Sequence, residues 1–452
     1  MAEAVQTDKK HLFDNRALRK MIVPLFLEQL LLLLVGIADT LVISYAGESA
    51  VSGVSLVNQF NTVFIFLFTA LASGGAVVVS QYIGRQDTKK AGESASQLLL
   101  FSGVFSVLLA AGVLLGGRSL LGLLFGRVEE EVMAACVTYL RISAYSYPAL
   151  AVYNAGAALC RSMGKTKVTM NISILANLIN VAGNLIGVFV LRAGVAGVAY
   201  PSLFSRASSA VAITFYCFRG KTQVSYRAAW LARWNGPLLK RILHIAIPNG
   251  IESGIFQLVK VALSSIVALF GTYQIAANGI AQSIWSLAAM CGTVMGTVFI
   301  TVIGQCMGAG DIPAAEFGFR KLMRLTVLLS SVWNGFILLL TPLLLRLYAV
   351  EPETARLVFW LVALHNLFNS VAFPFSGALG NGLRAAGDVT FTMVVAIAST
   401  IGGRFLLSWL LGVVWNMGVM GIALAMCCDW VIRGALYFWR LRSGKWKEFQ
   451  VI

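Results

Sequence analysis

Apolar residues run in stretches of twenty or more along nearly the whole chain, broken by short segments that collect Lys, Arg, Gly and Asp. A transmembrane helix needs about 20 mainly apolar residues. The pattern predicts twelve, over 21–45, 54–83, 95–116, 132–160, 168–191, 195–218, 242–270, 274–306, 322–345, 356–381, 389–413 and 417–440. Composition agrees: 58% of residues are hydrophobic, 12% are charged and mean hydropathy is +0.81, so no sizeable soluble domain is expected. The fold class expected is an all-α polytopic membrane protein. Its first apolar run is long enough to span and a second follows closely, so it reads as a retained helix and not as a cleaved leader.

The net charge of +16 does not point to nucleic acid, because the basic residues alternate along the chain. Of 35 Lys and Arg, 25 lie in or at the edges of the N-terminus, the even-numbered connections and the C-terminal tail, against five in or beside the odd-numbered connections. The remaining five, Arg141, Arg206, Lys260, Arg404 and Arg433, fall inside spans. By the positive-inside rule both termini are cytoplasmic, in the cell (inner) membrane, with anionic lipid as the partner of the basic face.

A shift of 224 positions lays the second half on the first. Pro24 meets Pro248, Glu28 meets Glu252, Gln81 meets Gln305, Gly84 meets Gly308 and Asp87 meets Asp311; Arg161 and Arg384 match at 223, and Gly194 and Gly418 at 224. Each half holds six spans, so both enter the bilayer in the same sense and are related by a pseudo-two-fold axis along the membrane normal, as in transporters built from parallel repeats. The organisation expected is a cytoplasmic segment 1–20, an N-lobe 21–218, a cytoplasmic linker 219–241, a C-lobe 242–441 and a tail 442–452. The chain is expected to work as a monomer.

Other function classes find little support. The only GK[ST], Gly164-Lys165-Thr166, has Leu159 where a phosphate-binding loop needs glycine. Three histidines, His11, His244 and His365, have no metal-ligand spacing, and seven scattered cysteines form no CxxC pair. No enzyme, cofactor or structural metal is expected. In "QYIGRQDTKKA" and "QCMGAGDIPAA", Gly84 and Gly308 suit a left-handed helix end, and Asp87 and Asp311 suit the cap of the next helix.

Together the two six-helix halves, the segment "GIADTLVISYAGESAVSGVSL", the paired Q-x-x-G-x-x-D turns and "GVAGVAYPSLFSR" resemble the multidrug and toxic compound extrusion (MATE) transporters over essentially the whole chain. The resemblance implies an antiporter that exports small organic molecules, drugs or organic cations, by alternating access driven by proton or sodium influx. A lipid-linked flippase of the same superfamily and a passive channel are the alternatives.

A charge in the hydrocarbon core costs from about 2.5 to more than 10 kcal/mol, so Asp39, inside "LLVGIADTLVIS", must face a wet cavity or a partner. The resemblance makes it the coupling aspartate, with a proton or sodium ion as its cargo. In the DinF-like branch it works with an Asn and an Asp on helix five and a Thr on helix six. The matching positions here are Asn180, Asn184 and Ser202, with Asn184 in place of the second acid. The NorM-like branch adds a helix-seven Glu and a helix-ten Asp; this tenth span has no acid, and Glu252 lies earlier than that branch's glutamate.

Four more charged residues are candidates for cavity lining or gating. Glu28 shares a helix face with Asp39, about 16 Å away along the axis. Glu252, Lys260 and Arg404 lie in the second half; Arg404 and Lys260 either find acids or carbonyls across the lobe or receive an anionic part of the substrate. Asp429 and Arg433, i and i+4, read as an ion pair, and Arg206 as snorkelling to the inner interface.

Overall fold

The computed structural model describes residues 13–125, 129–220, 222–347, 351–449 and 451–452; most of the expected N-terminal segment, residues 1–12, lies outside them. Twelve long helices account for most of the described residues. They are α1 (Asn15–Ser44), α2 (Glu48–Gly84), α3 (Thr88–Phe125), α4 (Glu130–Ser162), α5 (Thr166–Val190), α6 (Ala196–Phe218), α7 (Gly236–Phe270), α8 (Thr272–Gly308), α9 (Ile312–Leu347), α10 (Pro352–Ala385), α11 (Val389–Val414) and α12 (Gly418–Ser443). No strand occurs among the described residues.

Every helix covers a predicted span, and several begin earlier. The reason is that hydropathy marks where a helix enters lipid, whereas capping marks where it starts. Asp14 accepts from the Ala17 amide at 2.6 Å, Asp87 from Lys90 at 3.0 Å and Asp311 from Ala314 at 3.0 Å. Ten of the twelve are apolar enough to cross a bilayer on that ground alone. The other two, α4 and α6, turn polar side chains inward: Ser143 and Ser146 on α4, Ser205 and Ser209 on α6, all buried.

α1 to α6 pack as one bundle and α7 to α12 as another, with α1 against α5 in the first and α7 against α11 in the second. The bundles meet where α2 lies along α7 and α8, and α1 along α8. The contact is tightest at the end that carries the 219–241 linker. There a Cβ on Gly84 would overlap the Gln305 carbonyl, and one on Gly308 the Gln81 carbonyl. Gln81 Nε2 donates to the Ala385 carbonyl at 2.8 Å, and Gln305 Nε2 to the Ser162 carbonyl, also at 2.8 Å.

These contacts correct one expectation. Gly84 and Gly308 are glycines because two helices cross there; the left-handed turn residues are Gln86 (φ 62°) and Gly310 (φ 70°). The three fixed letters of Q-x-x-G-x-x-D therefore act differently. The glutamine clasps the other half, the glycine lets it approach, and the aspartate caps the next helix. Away from the linker the bundles separate. A cleft of about 660 Å³ opens there, lined by Gln59, Thr62 and Phe66 of α2 and by Gln257, Lys260 and Ser264 of α7.

Candidate transport site

Three helices of the first bundle converge on Asp39. Gly187 and Gly197 bring the backbones of α5 and α6 together, and Gly183 lies against Pro201, where a Cβ would stand 2.6 Å from the proline ring. This close approach puts Asn180 and Asn184 of α5 and Ser202 of α6 on one side of α1. Asn184 Nδ2 donates to Asp39 Oδ1 at 2.7 Å. The Asn180 amide, its nitrogen turned to the carboxylate, reaches Asp39 Oδ1 at 2.8 Å and accepts from the Ser202 hydroxyl at 3.0 Å. All four residues predicted for this site are thus in one hydrogen-bonded group.

Asp39 itself is half-buried, Asn180 and Asn184 are buried, and no Lys, Arg or His forms an ion pair with the carboxylate among the described residues. Arg206 is a counter-charge that acts on it without pairing, and its place corrects an expectation. It does not snorkel to the interface: Nη1 donates to the buried Ser146 hydroxyl at 2.6 Å, and its charge is felt by Asp39, Tyr139 and Tyr147. The polar inner faces of α4 and α6 give the guanidinium a partner inside the bundle, which hydropathy along α6 does not reveal.

Glu28 shares the α1 face of Asp39 but not its surroundings. It is 1% exposed and off the cleft. Arg161 Nη2 stands 2.9 Å from Oε1, while Thr169, Ser173 and Tyr153 donate to the carboxylate at 2.9, 3.1 and 3.3 Å. In the second bundle Glu252 pairs with Arg384, which also donates to Asn381 at 3.1 Å. Sequence reasoning missed this duplicated pair although its signal was present: Glu28 with Glu252, and Arg161 with Arg384, are matched positions of the repeat.

The other second-bundle candidates separate. Lys260 is exposed on the cleft wall with no ion pair among the described residues. Arg404 finds Asp429, its Nε 3.1 Å from Oδ2. Asp429 is also paired with Arg433, as expected, at 2.8 Å, so one fully buried carboxylate serves two guanidiniums. Arg433 donates further to Ser399 at 3.0 Å and Thr400 at 2.8 Å. Arg404 sits in a π-helical stretch of α11, Ser399–Leu406. A π turn takes up one added residue, which accounts for the change of repeat shift from 223 at Arg384 to 224 at Gly418. No cluster of metal-ligating residues occurs among the described residues.

The sequence pattern of the MatE family matches residues 24–186 and again 248–410, the same stretch displaced by 224 positions. The "uncharacterized transporter YisQ" of Bacillus subtilis is 25% identical, covering 94% of this chain and 93% of its own. The probable multidrug resistance protein NorM of Thermotoga maritima is 24% identical over 97% and 94%. Multidrug and toxin extrusion protein 1 of Pongo abelii is 23% identical over 96% and 76%. Among solved structures, the outward-facing conformation of a multidrug resistance MATE family transporter superposes with a TM-score of 0.89, at 19% identity and covering 96% of both chains. A MATE in the straight conformation superposes with a TM-score of 0.88. The fold is thus that of the twelve-helix, two-lobe transporters. Matched in both of its halves, the chain belongs to the MatE family, the multidrug and toxic compound extrusion transporters, and is a multi-pass membrane protein.

Proposed function

We propose that the protein is a secondary active exporter of small organic molecules, drugs or organic cations among them, driven by proton or sodium influx and working by alternating access. Asp39 carries this reading. It is a carboxylate in an apolar helix, held by two amides, one of them steadied by the Ser202 hydroxyl, and it forms no ion pair among the described residues. Such a group takes a proton or a sodium ion from one side and releases it to the other when its surroundings change. Asn180 and Asn184, with Ser202 behind Asn180, fix the carboxylate's orientation, and the same amides turned about would offer their oxygens to a sodium ion.

The cleft of about 660 Å³ is of drug-binding size. With the basic linker end in the cytosol, as the charge bias of an inner-membrane protein requires, the cleft faces outward and the Gln81–Gln305 clasp closes the cytosolic end. Glu28 and Glu252 act there as gating supports. Their partners Arg161 and Arg384 lie beside Ser162 and Ala385, whose carbonyls the clasp grips. Lobes rocking about this end, in a monomer, would expose Asp39 and the cleft to each side in turn.

The test is ethidium efflux from proteoliposomes with a proton or a sodium gradient imposed separately. One gradient should drive export, and Asp39→Asn should bind ethidium yet fail to couple. Movement indifferent to both gradients would overturn the reading in favour of a passive channel. Labelling of a cysteine placed at Thr222 should require lysed cells.

A further inference from the structure

The second bundle holds a pocket of about 250 Å³ that opens beside the inter-lobe cleft, sharing Phe66 and Ser253 with it. Its walls are aromatic. Trp285 and Trp430 stack with centroids 5.9 Å apart, Phe373 meets the Trp430 ring edge-on at 5.3 Å, and Phe256 lies 4.9 Å beneath the Arg404 guanidinium. Its polar end is cationic: Arg404 and Arg433 line it and share Asp429, which is not on the wall, while Glu252, which is, is paired with Arg384. Three guanidiniums thus face two carboxylates.

Hydrogen bonding is lopsided in the same sense. The Arg404 guanidinium meets Asp429 only through Nε, which lies 3.1 Å from Oδ2 but is poorly aligned for a hydrogen bond, and no other acceptor of the guanidinium is found among the described residues. The buried Trp285 Nε1 has none either. Asp429 is satisfied by Arg433 and Glu252 by Arg384. The donors of Arg404 and Trp285 are thus poorly answered, and buried donors left without good partners are costly enough that a site built this way favours a ligand that brings acceptors.

From these observations we infer that the second-lobe pocket is a binding subsite for the acid group of an aromatic carboxylate or sulfonate. The acid oxygens accept from Arg404 and Trp285, and the ring lies among Trp285, Phe373 and Trp430. The volume, below the usual drug-pocket range of about 300–1,000 Å³, admits one small ring system and not a large drug. This deepens the exporter reading and rests on it only for the acid being transported; binding stands by itself.

The experiment is calorimetry on the full-length protein in phosphatidylcholine nanodiscs with a matched pair of probes, 2-naphthoate and (2-naphthylmethyl)trimethylammonium. The native protein should bind naphthoate. Arg404→Gln should weaken it about tenfold or more, the loss of a charge-assisted bond, and strengthen the cation by relieving repulsion. Arg404→Lys should recover part of the loss, and Trp285→Phe, which keeps a ring and removes the N–H, should cost naphthoate about threefold. Absence of naphthoate binding to the native protein, or equal losses for both probes, would overturn the inference. If Arg404→Gln does not fold, Arg404→Lys and Trp285→Phe decide it by the same criterion. Competition by phosphatidylglycerol would assign the donors to a lipid phosphate and also overturn it. Arg404-dependent naphthoate binding in a protein that shows no gradient-driven ethidium export would sink the exporter reading and leave the subsite standing.

Discussion

At a shift of 224 positions, Leu263 of α7 stands where Asp39 stands on α1, Arg404 where Asn180 stands, and Asp429 and Arg433 where Ser205 and Ser209 stand. The same helices frame both places, α1, α5 and α6 in one lobe and α7, α11 and α12 in the other, yet the charges are reversed. In the first lobe the acid meets amides, backed by a hydroxyl, and forms no ion pair among the described residues. In the second, the acid is answered twice and the surplus is positive. A duplicated scaffold thus fixes where polar groups converge while leaving their sign to a few side chains. An acid without a protein cation suits an exchangeable ion, and one clamped between two arginines does not.

The comparison is most exposed to a test at Asp39. Asp39→Asn should reduce gradient-driven export to background while preserving fold and ethidium binding, because an amide holds the hydrogen bonds but releases no proton. Leu263→Asp should not restore export to that variant, since a new acid beside Arg404 would find a guanidinium before it found an ion. Restored export would show the lobes to be interchangeable.

Asp429→Asn should come next in size. Removing the shared acid leaves two buried arginines facing each other, a destabilisation of about 3–5 kcal/mol that a lower melting temperature in detergent would report. The duplicated Glu–Arg pairs sharpen the contrast. Arg384→Gln should approach that cost, as Glu252 has no other donor among the described residues, whereas Arg161→Gln should cost about 1–3 kcal/mol because three hydroxyls still answer Glu28. Equal melting shifts would break this difference. The smallest effect belongs to Lys260→Gln, within about 0.5 kcal/mol in melting experiments, since its side chain is exposed and unpaired among the described residues.

Twelve spans and the duplication were legible because lipid demands long apolar runs and a repeat leaves Pro, Gln, Gly and Asp at fixed distances. The group around Asp39 was legible only through family resemblance, as no local pattern says that Asn180 and Ser202 approach one acid. Asp429 was half legible: Arg433, four residues on, is a helical neighbour, but Arg404 reaches it from another helix through a π turn that regular spacing does not anticipate. Arg206 was misread for a related reason, since its partner Ser146 is on α4 and hydropathy along α6 carries no news of it. Glu28 and Arg161 are 133 residues apart, and only the matched pair in the other half could have joined them in advance.

The clasp at the linker end has a consequence for the chain's history. Gln81 bonds a carbonyl of the second half and Gln305 the equivalent carbonyl of the first, so the contact is isologous, the kind that two identical subunits form across a two-fold axis. A six-helix ancestor carrying Q-x-x-G-x-x-D would have held a second copy of itself by these same contacts, before fusion made them internal. The covalent connection through 219–241 would then be dispensable for assembly, and the two halves, expressed as separate polypeptides, should find each other in the membrane.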